Sequence, residues 1–356
     1  MSSVNMTQSV RLNDLLPAIP PSFFGMVFGI LGLGNCWRIA SRIWAFPSGV
    51  GEGLMLIGSF VWAVLLILFL AKWFIHRGEA LAEFEHPIQC CFVGLVPVST
   101  MLVALAALPY SRPLAIALFV AGMSGTVVFA VYRTGQLWMG GRDPDSTTPV
   151  LYLPSVAGCF VTAIVSGELG FVEWAMLAFG AGLFAWLAIE SVLIHRLYTV
   201  HALPPALRPT LGIQLAPPSV GAVAYLSVTS GRPDLAAYSF IGYGLLQGLI
   251  LIRLLPWILE QPFAASYWAF TFGATALPLA CLRMVERGDN GPLSVLAASL
   301  FAIANAVILG IGFGTIFLVL NGRLLPGKAT VTCPHHRGGN KIGLRSGRRS
   351  AQPSAA

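Results

Sequence analysis

The chain reads as an all-α integral membrane protein, with ten transmembrane helices folded as five helical hairpins. Three observations predict this. Hydrophobic residues make up 56% of the 356 positions and charged residues only 10%, whereas soluble domains carry about 25% charged residues. Ten stretches approach the roughly 20 apolar residues needed to cross a bilayer, and mean hydropathy is +0.78. Five of those stretches begin near a proline, at Pro20-Pro21, Pro87, Pro149, Pro209 and Pro262. Each is followed by a second stretch richer in Leu, Trp and Phe, so a two-helix unit recurs about every sixty residues. Five like hairpins placed in a ring with quasi-fivefold symmetry would enclose an axis, which suggests a pore.

The elements follow in chain order. Residues 1–18 are polar and mixed, with Arg11 and Asp14, and lack the apolar core and small-residue cleavage site of a signal peptide. They are expected to be a cytoplasmic N-terminal segment. The membrane domain is expected over 19–325, with spans 1 to 10 at 19–37, 51–72, 87–108, 113–133, 149–167, 171–193, 209–229, 235–255, 263–282 and 292–320. The last is long for one straight crossing and is expected to tilt or to extend past the bilayer. Residues 326–356 are basic, rich in Gly, Ser and Pro, and without apolar periodicity. They read as a disordered cytoplasmic tail.

Charge sets the orientation. Fifteen of the 21 Lys and Arg residues lie on the side of the N-terminus: Arg11, Lys72, Arg77, Arg133, Arg142, Arg196, Arg208, Arg253 and seven from Arg323 onward. The other side has Arg38, Arg42, Arg112, Arg232, Arg283 and Arg287. Positive residues stay in the cytoplasm, so both termini are expected there. The net charge of +7 is therefore mainly topological. A basic tail without interleaved aromatics fits anionic lipid headgroups better than nucleic acid.

The odd and even spans differ in composition. Odd spans hold most of the prolines and short aromatic clusters, and their second prolines, Pro97, Pro154, Pro217-Pro218 and Pro278, are expected to kink or open the helix. Such backbone is tolerated in a membrane where protein or a water-filled cavity satisfies it. The even spans are more uniformly apolar and suit a lipid-facing outer ring. The interiors of the odd spans contain no Asp, Glu, Lys, Arg or His. Proton-coupled carriers usually have ionisable relays there, so an uncoupled path is favoured, and an anion would meet no fixed carboxylate. Glu190 in span 6 and Arg253 in span 8 are the ionisable residues nearest to mid-membrane, each about one turn from the cytoplasmic end. They are expected to form a structural ion pair or to snorkel separately. Glycine pairs such as Gly25-Gly29 and Gly242-Gly244 point to close helix packing.

Five of the six cysteines, Cys36, Cys90, Cys91, Cys159 and Cys281, fall in or at the edge of spans and read as small apolar fillers. The sixth belongs to the tail sequence Cys333-Pro334-His335-His336, which offers too few ligands for a convincing metal site. No phosphate-cradling loop, nucleophile elbow or Rossmann glycine pattern occurs. Neither enzymatic activity nor a cofactor is expected.

The stretches PPSFFGMVFGILGLGNCWRIA, HPIQCCFVGLVPVSTMLVA, LYLPSVAGCF, LGIQLAP, GYGLLQGLILIRLLPWILEQPF and YWAFTFG resemble the tellurite-resistance/dicarboxylate-transporter family, which includes the slow anion channels of plant guard cells. The resemblance runs in consistent order over roughly residues 15–325. It implies five hairpins around a central pore, a homotrimer of independent pores, and a phenylalanine of span 9 as gate. The matching motif YWAFTFG places the gate at Phe272, with Phe270 as competitor two residues away. Phe24, Phe92 and Phe160 carry over as pore-lining aromatics, with Gly25 leaving open volume beside Phe24. After LAP this chain has Pro218-Ser219 where some relatives have an aromatic, so Ser219 is expected to place a hydroxyl in the path. The function implied is a gated anion channel of the bacterial inner membrane, passing small anions such as chloride, nitrate or tellurite and linked to tellurite resistance. The alternative is a carrier of four-carbon dicarboxylates or an efflux transporter.

Overall fold

The computed structural model describes residues 17–325. It contains ten helical segments long and apolar enough to cross a membrane: Pro21–Trp44, Ser48–Ile75, Cys90–Ala107, Arg112–Trp138, Pro149–Glu168, Val172–Thr199, Pro205–Val228, Leu235–Ile258, Ala265–Glu286 and Pro292–Leu320. The tail with Cys333, His335 and His336 lies outside the described residues, as does the N-terminal segment to position 16.

Burial separates the two classes of span. Between 67% and 83% of the apolar windows of the odd spans is buried, against 17% to 28% for the even spans. Leu56, Phe60, Phe184 and Phe313 of the even spans are exposed. Apolar surface that extensive is expected of a face that meets lipid. Each odd span packs on the even span that follows it. The odd spans also touch one another in a closed order: span 1 meets span 3, 3 meets 5, 5 meets 7, 7 meets 9, and 9 meets 1. Spans 1 and 9 approach one another closely. A Cβ on Gly32 would lie 2.2 Å from Thr275 Oγ1, and one on Gly29 would lie 2.6 Å from Thr271 Oγ1. Only glycine leaves room for this contact.

The even spans are continuous α-helices, whereas the odd spans begin irregularly. Span 1 opens with a 3₁₀ turn, Pro21–Phe24. Span 3 opens with a four-residue helix, Cys90–Val93, that breaks at Gly94. Span 5 opens with a 3₁₀ turn and a π turn, Leu153–Ala157. Span 7 opens with a long 3₁₀ stretch, Pro205–Leu215, and span 9 with another, Ala265–Phe270. The prolines explain part of this but not as the sequence suggested. Pro97 and Pro217-Pro218 stand in the first turn of the α-helical parts Leu95–Ala107 and Ala216–Val228, where a missing N–H costs nothing. Pro154 falls within the π turn, and Pro278 is accommodated inside the helix Thr271–Glu286. The opening of the backbone thus lies before Pro97, Pro217-Pro218 and Pro278, and only at Pro154 does it coincide with the second proline.

A short surface helix, Arg77–Glu85, follows span 2. Lys72, buried near the end of span 2, holds it through a 2.6 Å ion pair with Glu83 and also donates to the Ile19 carbonyl.

Candidate functional site

The irregular N-terminal parts of all five odd spans face one cavity of about 140 Å³. Span 1 contributes Ser22, Gly25 and Phe28, and Gln89, Phe92 and Leu95 come from the start of span 3. Span 5 supplies Tyr152, Val156 and Phe160, span 7 supplies Thr210, Ile213 and Pro217, and span 9 supplies Ser266, Trp268 and Phe272. No charged side chain lines it among the described residues. Its polar groups are a few hydroxyls and the Gln89 amide.

Phe272 projects from the first turn of the α-helical part of span 9 and meets Phe28 edge-to-face, with ring centroids 4.7 Å apart. That arrangement sets the positive edge of one ring against the face of the other. Phe270 faces elsewhere. It stacks on Tyr267 and fills the space over Gly212 of span 7, where an added Cβ would lie 2.6 Å from its ring. Gly25 and Phe92 line this cavity, and Phe160 lines its wall while its ring is wedged against Gly182 and Gly221.

Two expected lining residues are displaced. Phe24 is fully buried and packs edge-to-face on Phe69 of span 2, centroid distance 6.0 Å, so Phe28 takes its place in the cavity. Ser219 is also fully buried, does not line the cavity, and lies beside Gly244 of span 8. Both errors concern helix phase. A 3₁₀ turn rotates about 20° more per residue than an α-helix, and each of these spans begins with one.

The expected Glu190–Arg253 pair does not form. Arg253 is exposed on span 8. Glu190 is buried and is held by neutral donors instead. Its Oε2 accepts from Tyr152 Oη and, at 2.9 Å, from Trp186 Nε1. Its Oε1 accepts from Tyr243 Oη at 2.6 Å and from Gln247 Nε2 at 3.4 Å. Four donors occupy the acceptor lone pairs of its two oxygens. Glu190 therefore ties the π turn of span 5 to spans 6 and 8, and it fixes Tyr152 in the cavity wall.

At the opposite, C-terminal ends, spans 1, 3, 5 and 9 line a second cavity of about 340 Å³. The spans run further than hydropathy indicated and carry charges here. Arg38, Arg42, Arg283 and Arg287 line it together with Glu168 and Glu286. Sequence reasoning used these arginines only to count sidedness. Their clustering at the same ends of spans 1 and 9 was the available signal. Arg38 forks onto Glu52 at 2.7 and 2.8 Å and donates to the carbonyls of Leu105 and Ala106. Arg42 pairs with Glu286 at 2.6 Å, and Arg283 pairs with Glu168 at 2.6 Å. Arg287, just beyond span 9, donates to the carbonyls of Leu226 and Thr229, and burial pulls its pKa down.

Ten apolar spans with an uncharged cavity between five of them define a polytopic membrane protein of the transport class. The chain belongs to the SLAC1 voltage-dependent anion channel family, which it matches over residues 18–316. It is 32% identical over 320 residues to the tellurite resistance protein TehA homolog of Haemophilus influenzae, covering 90% of this chain and 96% of that protein. It is 25% identical to the S-type anion channel SLAH3 of Arabidopsis thaliana over 83% of this chain. That match covers 48% of the plant protein, so this chain spans about half of its length. An uncharacterized transporter of Methanocaldococcus jannaschii is 25% identical over 73% of this chain and 81% of its own length.

Proposed function

We propose that this protein is a gated anion channel of the bacterial inner membrane. Its pore follows the common face of the five odd spans, and Phe272 closes it. The closed order of contacts among the odd spans supports a quasi-fivefold ring. The observation that carries the reading is the pairing of Phe272 with Phe28 inside a cavity that all five odd spans line and no charge enters. An aromatic ring across a narrow apolar path blocks ions sterically and excludes water. Among the described residues no carboxylate lines that cavity, so nothing there repels an anion, and no ionisable group lines it to couple transport to protons. The names of the relatives, two of them an anion channel and a tellurite resistance protein, support chloride, nitrate or tellurite as cargo. In this reading both termini are cytoplasmic, the uncharged cavity faces the cytoplasm, and three copies associate with one pore each.

Two-electrode voltage clamp in chloride tests the gate. Phe272→Ala is expected to raise the current strongly over the wild type, at a packing cost of about 3 kcal/mol. Phe270→Ala is expected to leave the current unchanged, because its ring fills space over Gly212 outside the cavity. Unchanged current in Phe272→Ala removes that residue as the gate.

A further inference from the structure

The cavity at the C-terminal ends of the odd spans differs from an ordinary ion-paired surface in one respect. Spans 5 and 9 are not neighbours in the contact order of the odd spans: span 7 stands between them on one side and spans 1 and 3 on the other. The 2.6 Å pair between Glu168 of span 5 and Arg283 of span 9 therefore reaches across the mouth.

The two partners are held unequally. Arg283 is mostly buried, with a side chain 14% exposed, whereas Glu168 is 38% exposed. Arg283 is also anchored from span 7, since its Nη1 donates to Ser227 Oγ at 2.9 Å. Its Nε is buried without a partner. The guanidinium is thus fixed, with a donor to spare, and the carboxylate is the movable partner. Around it the other arginines are occupied: Arg38 by Glu52, Arg42 by Glu286, and Arg287 by main-chain carbonyls.

We propose that Arg283 is an anion-binding site at the outer mouth and that Glu168 is its built-in competitor. The Glu168 carboxylate occupies the position that a small permeant anion takes when it arrives. This inference rests on the anion-channel reading for its role in transport. A buried guanidinium without a counter-charge would be costly, so Glu168 compensates Arg283 while the site is empty. An incoming chloride or nitrate displaces the carboxylate toward water, and the net charge around Arg283 is the same as before. The exchange is cheap because an ion pair whose carboxylate is partly exposed contributes little. Charge-assisted donation from a planar guanidinium suits nitrate, with its planar oxygens, at least as well as chloride.

The test uses purified full-length protein and reads thermal stability as chloride replaces gluconate at constant ionic strength. Wild type is expected to be stabilised by chloride. Glu168→Gln, which removes the competing charge, is expected to reach half-saturation at about fivefold lower chloride, the equivalent of ~1 kcal/mol. Arg283→Gln is expected to lose the chloride dependence, and Arg283→Lys, which keeps the charge, to retain part of it. A Glu168→Gln titration identical to wild type, or full chloride dependence in Arg283→Gln, overturns the proposal. Because this readout needs no current, it separates the two readings. A chloride shift that follows these rules in a protein that never conducts would sink the channel and leave the site. Conduction without the shift would do the reverse.

Discussion

The two cavities along the odd spans are built from opposite chemistry. The one at the N-terminal ends is lined by rings, aliphatic side chains and a few hydroxyls, with Phe272 set edge-to-face on Phe28. The one at the C-terminal ends is lined by four arginines and two glutamates. In a low-dielectric throat a fixed charge would bind an ion too tightly or repel it, so in the proposed channel neutrality there would favour passage and leave control to a steric plug. Near water the same charges are screened and partly paired, and in the proposed channel they would concentrate anions. The carboxylates show the same division. Those at the mouth pair with arginines, while Glu190, beside the throat, is held by tyrosines, a tryptophan and a glutamine.

That contrast can be broken by substitution. The largest stability effect is expected from Glu190→Ala, which strands buried donors on spans 5, 6 and 8. Each such donor costs about 1–3 kcal/mol, so a loss of about 3 kcal/mol or more should appear as a lower thermal midpoint and a smaller monodisperse fraction. Normal stability with altered ion selectivity would instead place Glu190 in the conduction path. A smaller loss, about 1–3 kcal/mol, is expected for Gly32→Ala, because the new Cβ would lie 2.2 Å from Thr275 Oγ1. A midpoint within error of wild type would show that spans 1 and 9 separate freely. The smallest effect is expected from Arg42→Ala at the mouth. Its side chain is 55% exposed, and such pairs contribute about 1 kcal/mol or less. A loss as large as that of Glu190→Ala would mean that the mouth is as tightly built as the throat.

Much of this organisation is legible in the sequence, because hydropathy and the proline-headed repeat report directly on lipid contact and hairpin order. All ten spans stand where those signals put them, although the even spans run longer than their most apolar cores, as Ser48–Ile75 and Val172–Thr199 show. Which face of a span meets the cavity was harder to read. Phe24 and Phe28 are one turn apart in a span that starts as 3₁₀, and Ser219 follows an eleven-residue 3₁₀ stretch, Pro205–Leu215. Counting at 3.6 residues per turn loses phase there. The partners of Glu190 were hidden for another reason. A carboxylate suggests an arginine, but a buried one can be satisfied by neutral donors from three spans, and no spacing in the chain announces that.

In the proposed channel a neutral throat, closed by Phe272, conducts anions. The most direct measurement is the reversal potential of the Phe272→Ala current from purified protein in planar bilayers, under a chloride gradient with a common small cation. The expected result is a reversal close to the chloride equilibrium potential that follows chloride when it is replaced by a bulky anion. A reversal that follows the cation would contradict it.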